Sequence, residues 1–104
     1  MDGISKLTAD GVISALRKHA AELRSAGIRH LSLFGSLARG EADADSDIDL
    51  AAEFDPDARV GLFELVGIER RLSEILGQRV GLLPEPVQKP RLQHNIHRDR
   101  RRAF

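Results

Sequence analysis

The chain has 104 residues, with 16 Lys and Arg against 16 Asp and Glu and no Cys, Trp or Tyr. That length suits one compact domain, residues 1–104, around a single core. The lack of Cys excludes disulfides, zinc–thiolate centres, iron–sulfur clusters and thiol catalysis. No run approaches the ~18 apolar residues of a membrane span, and residues 1–7 carry no apolar leader core, so a cytoplasmic protein is expected. The neutral total hides a gradient: residues 1–85 hold 10 basic and 15 acidic side chains, whereas 86–104 hold 6 basic and 1 acidic.

Residues 9–26 place Val12, Leu16, Ala20 and Leu23 at helical spacing, with Thr8 as N-cap and Gly27 as the stop, which predicts one amphipathic helix. Residues 28–34 alternate as a strand and run into the small-residue turn Gly35-Ser36-Leu37-Ala38-Arg39-Gly40. The polar stretch 41–47 leads into a second strand, Ile48 to Phe54, ended by Asp55-Pro56-Asp57. From Val60 to Leu76, Phe63, Val66, Leu72, Ile75 and Leu76 recur at helical intervals, and Gly77 terminates this second long helix. Arg79 to Leu83 reads as a short third strand closed by Pro84 and Pro86. Beyond Pro90 the chain predicts a weakly amphipathic basic helix, with 98–104 as a frayed tail. The order describes an α/β (α+β) fold, a small mixed sheet with helices packed on it.

One segment concentrates chemistry: Gly35-Ser36, ten residues, then Asp47-Ile48-Asp49. Two carboxylates spaced by one residue in an extended chain leave the same face, with Cα atoms about 6.6 Å apart. Like charges so close repel unless a cation lies between them, and such oxygen donors suit Mg²⁺ completed by phosphate and water. The Gly-Ser turn offers unpaired backbone N–H groups and the Ser36 hydroxyl to phosphate oxygens, with Gly35 allowing close approach and Arg39 adding a cation. Metal-binding carboxylates facing a phosphate loop are the parts of a nucleoside triphosphate site. The bland alternatives are a solvated acidic loop over Asp43, Asp45, Asp47 and Asp49, a helix cap for Ser36 and a solvated turn residue for Arg39.

The phrase FGSLARGEADADSDIDL resembles the signature of the polymerase-beta-type nucleotidyltransferase superfamily, and its minimal nucleotidyltransferase branch especially. The likeness extends over nearly the whole element order. It implies Mg²⁺-dependent transfer of a nucleoside monophosphate, AMP from ATP, onto an acceptor with release of pyrophosphate. It implies Asp47 and Asp49 as catalytic metal ligands and Gly35, Ser36 and Arg39 on the nucleotide. It also implies a HEPN-domain toxin as partner, with this chain as the antitoxin that adenylylates it.

The chain departs from that pattern at Gly81. The resemblance leads one to expect a third carboxylate on the later strand, and Arg79-Val80-Gly81-Leu82-Leu83 has glycine there. Glu53 and Glu85 each lie about 13 Å along a strand from where it is needed. Nucleotide binding is therefore expected to survive better than transfer, and the competing reading is a catalytically weakened module that neutralises a toxin by binding it. A third reading, nucleic-acid contact through Arg98, Arg100, Arg101 and Arg102, lacks aromatic platforms. His30, His94 and His97 have no ligand partners in the sequence and read as structural or surface residues.

Overall fold

The computed structural model describes residues 8–41 and 46–104. In chain order the elements are α1 (Ala9–Lys18), α2 (Ala20–Ser25), β1 (Ile28–Phe34), α3 (Gly35–Ala38), β2 (Ile48–Phe54), α4 (Leu62–Leu76), β3 (Val80–Glu85), α5 (Pro90–Asp99) and β4 (Arg101–Arg102). The four strands form one mixed sheet in the order β3-β2-β1-β4. β1 is antiparallel to β2 and β4, whereas β2 and β3 are parallel, joined by the crossover helix α4. No helix among the described residues is long and apolar enough to cross a membrane.

Alternation along the strands splits the sheet into two faces. Leu31, Leu33, Ile48, Leu50, Ala52, Val80 and Leu82 point to one side and pack under Val12, Leu16, Leu23, Ile68, Leu72 and Leu76 of the helices. The other face carries a smaller cluster in which Phe34 and Ala51 meet Ile96 of α5. Asp49, Gly81, Glu53 and Glu85 share this second face by parity, so the polar chemistry lies on the thinly covered side of the sheet.

Three differences from the sequence expectation have physical causes. The first helix is broken at His19, whose N–H bonds to Leu16 O at 3.1 Å in a tightened last turn. On α4 the buried stripe is Ile68, Leu72 and Leu76, while Phe63 and Val66 are exposed. At 100° per residue, those two lie about 140° and 160° around the helix from Ile68. Pro84, expected to close β3, lies inside it opposite Ala52, which an edge strand tolerates.

The C-terminal segment is not a frayed tail. β4 pairs with β1, Ala103 N–H donates to Leu31 O at 2.8 Å, Leu31 N–H donates to Phe104 O at 3.1 Å, and Ala103 is 3% exposed. Arg17 Nε donates to the Ala103 carbonyl, and Arg100 reaches Glu85 and Ser32 across the sheet. The cause is the free edge of β1, whose unpaired backbone groups and apolar underside take a strand that composition marks only as basic.

Candidate functional site

At the end of β1 the backbone enters a left-handed conformation at Gly35 (φ 78°) and makes one helical turn, α3. Glu41 N–H closes back on Ser36 O at 2.8 Å and Gly40 N–H on Leu37 O at 3.1 Å. Leu37 is buried in the main core and anchors the turn. Ser36 is not a cap: the N-cap position falls on Phe34 with no side-chain bond, and the hydroxyl makes no hydrogen bond among the described residues.

Register places Asp49 opposite Phe34 on β1 and opposite Gly81 on β3. Its carboxylate fills the space beside Gly35: a Cβ there would meet Asp49 Oδ2 inside van der Waals contact and stand 3.2 Å from both its Cβ and Cγ. Glycine is therefore required twice, for the positive φ and for the neighbour. Gly35→Ala is expected to cost at least about 1–2 kcal/mol, read as a Tm several degrees lower by calorimetry; an unchanged Tm would mean that the turn is not held against Asp49.

Asp47 stands one residue before β2, with its side chain 49% exposed and Arg79 Nε 4.0 Å away. The half-buried Asp49 carboxyl is pushed up from the ordinary carboxylate range, first by burial and then by the negative charge of Asp47, with Arg39 pulling the other way. Arg39 itself donates Nε–H to Glu41 at 2.8 Å and Nη1–H to Asp99 at 2.7 Å. Asp43 and Asp45 lie outside the described residues. Among the described residues no third His, Cys, Asp or Glu joins the pair. Glu85 is taken up by Arg100 and Gln93, Glu53 pairs in register with Glu85 four residues beyond Asp49, and His97 meets Gln93.

The Gly-Ser turn, Asp47, Asp49 and Arg39 thus come together at one end of the sheet. The sequence reading missed Asp99, the single acid of residues 86–104, and that singularity was its available signal. A half-buried Asp49 carboxylate beside the negative charge of Asp47, which is open to solvent, fits a hard divalent cation that takes its remaining ligands from phosphate and water. Asp47 and Asp49 would hold it, beside a turn whose Ser36 hydroxyl has no hydrogen-bond partner among the described residues.

The sequence matches the nucleotidyltransferase domain family over residues 13–103. Protein adenylyltransferase MntA of Thermococcus cleftensis is 33% identical over 97 residues, which cover 92% of this chain and 96% of that protein. A solved structure described as a "putative minimal nucleotidyltransferase" superposes with a TM-score of 0.74 at 30% identity, covering 94% of this chain and 98% of the other. A chain of the complex of tri-AMPylated Shewanella oneidensis HEPN toxin with MNT antitoxin shares the fold, with a TM-score of 0.63 at 16% identity over 88% of this chain and 71% of that one. With its mixed sheet, its Gly-Ser turn against a strand carboxylate and this likeness along nearly its whole length, the chain belongs to the nucleotidyltransferase family and is a nucleotidyltransferase by fold and enzyme class.

Proposed function

We propose that this chain transfers AMP from Mg²⁺-ATP to a hydroxyl of a partner protein, a HEPN-domain toxin that it silences in the cytoplasm as an antitoxin. The observation that carries the reading is the packing of Asp49 against Gly35, which supports a carboxylate for the metal beside a turn for the phosphates. The adenylyl group and the protein acceptor are supported by the name of the Thermococcus relative, which aligns over 96% of its own length. The HEPN partner is supported by the complex in which a chain of this fold is found.

In this reading the acceptor oxygen bonds to the α-phosphorus while the bond to the β-phosphate oxygen breaks, pyrophosphate leaves, and the hydroxyl proton passes to water. Ser36 and the N–H groups of the α3 turn hold the departing phosphates, and Arg39 offsets their charge. Magnesium bound by Asp47 and Asp49 would neutralise the triphosphate and favour attack at phosphorus. The acceptor hydroxyl enters on the Gly81 side of Asp49, where β3 forms the open edge of the sheet.

The test is incubation with a HEPN-domain protein of the same genome, Mg²⁺ and ATP labelled at either the α or the γ phosphate. Label on the partner from α-labelled ATP only, abolished by EDTA, is the expected result. Gly81 favours a second reading, masking of the toxin by stoichiometric binding. Its signature is a tight complex that carries no label, and that outcome overturns transfer.

A further inference from the structure

The C-terminal helix contributes one side chain to this site that the Gly-Ser and Asp-x-Asp motifs do not contain. Asp99 ends α5, 60 residues from Arg39 in sequence, and its carboxylate accepts Arg39 Nη1–H at 2.7 Å. It also accepts Arg98 Nε–H at 2.9 Å and Nη2–H at 3.3 Å. The Asp99 side chain is 4% exposed, whereas Arg39 is 38% and Arg98 55% exposed. Helix stability does not explain this acid, because the carbonyl end of a helix repels a carboxylate and favours a cation. Segment composition does not explain it either, since every other charged residue of 86–104 is basic.

What Asp99 does accomplish is geometric. Glu41 takes the Nε–H of Arg39 and Asp99 takes Nη1–H, so the planar guanidinium is fixed at two of its nitrogens. The third, Nη2, has no partner among the described residues. The side chain thus fixed starts at the C-terminal end of α3, the turn that carries Gly35 and Ser36. Its charge is felt at Asp49 across the site.

Building on the nucleotide reading above, we infer that Asp99 is a positioning residue for Arg39: it holds the guanidinium at the end of the Gly35-Ser36 turn, so that Nη2, without a partner among the described residues, can take the phosphates that leave as pyrophosphate. α5 is then part of the triphosphate subsite. A long side chain fixed in advance loses no rotamer freedom when phosphate arrives, which is worth roughly tenfold in affinity. The effect is confined to ligands with β- and γ-phosphates.

The experiment is a double-mutant cycle read by calorimetric titration with Mg²⁺-ATP and with Mg²⁺-AMP, on the full chain, Asp99→Asn, Arg39→Ala and the double variant. Asp99→Asn is expected to weaken ATP about tenfold and leave AMP unchanged, and to cost nothing further once Arg39 is alanine. Equal losses for ATP and AMP would show a merely structural role and overturn the inference, as would additive losses or an Asp99→Asn variant that binds ATP like the parent. If Asp99→Asn does not fold, Asp99→Glu keeps the charge and shifts it by one methylene. A partial loss limited to ATP supports positioning, and no loss overturns it. A parent chain that takes up no Mg²⁺-ATP overturns the nucleotide reading itself, whereas a parent that binds with a flat cycle overturns only the role of Asp99.

Discussion

Gly81→Asp is expected to speed nucleotidyl transfer by about a hundredfold while changing Mg²⁺-ATP affinity much less. Residue 81 is the β3 partner of Asp49 in register, and a Cβ built there stands 3.8 Å from Asp49 Oδ1, an ordinary contact with nothing nearer among the described residues. The Cβ of an aspartate is thus accommodated, and its carboxylate would be a third on the side where the proposed reading brings in the acceptor hydroxyl. A positioned carboxylate there can take the hydroxyl proton as the oxygen attacks, and each tenfold gain is about 1.4 kcal/mol of barrier. The same substitution crowds three negative charges, so the variant should melt lower than the parent without divalent cation and recover when Mg²⁺ is added. Single-turnover labelling of the partner at saturating ATP reads the rate, and calorimetry reads the melting shift. Equal rates for the two chains would mean that residue 81 is not where the missing carboxylate acts.

The sheet-forming parts of the chain were open to sequence reasoning because their signals are local. Alternation through 30–33 between Gly27 and Gly35, and the mostly apolar stretch 48–54 between the polar 41–47 and Asp55-Pro56-Asp57, define β1 and β2 to the residue, and Gly77 marks the end of α4 by its left-handed cap. The site motif was legible for the same reason, since glycine at a positive φ and two acids two residues apart act through backbone geometry alone. What the pattern could not show depends on distant partners. A break at His19 leaves Val12, Leu16 and Leu23 in phase whether the helix is continuous or kinked, so periodicity is blind to it. Residues 101–104 read as a basic tail because two arginines dominate them, yet their backbone completes the edge of β1 and Ala103 enters the core. Arg39 illustrates both sides. Its place in the turn follows from the motif, but its carboxylate partner Asp99 comes from the segment whose composition argued for solvent.

Asp49→Asn should separate the function of the site from the stability of the fold by moving them in opposite directions. Loss of an outer partner of a metal ligand already costs ten- to a hundredfold in affinity or activity, so if Asp49 is the ligand proposed above its loss is expected to weaken Mg²⁺-ATP by at least about a hundredfold. Stability goes the other way. The Asp49 carboxyl is raised by its burial and by Asp47, against a smaller pull from Arg39. A carboxyl raised by folding binds its proton more tightly in the native chain than in the unfolded one. Its favourable contribution is therefore complete below the unfolded value of about 3.9 and is lost as pH rises through the higher native value. At neutral pH the ionised group opposes folding. Asparagine keeps the shape beside Gly35 and removes the charge, so without divalent cation the variant should melt above the parent at pH 7, and the gap should close toward pH 4. Melting curves across that range, paired with Mg²⁺-ATP titrations, decide the matter. A variant that melts lower at pH 7, or that retains the nucleotide, would show that the carboxylate is held by contacts other than those seen here, and that its strain is not what the cation relieves.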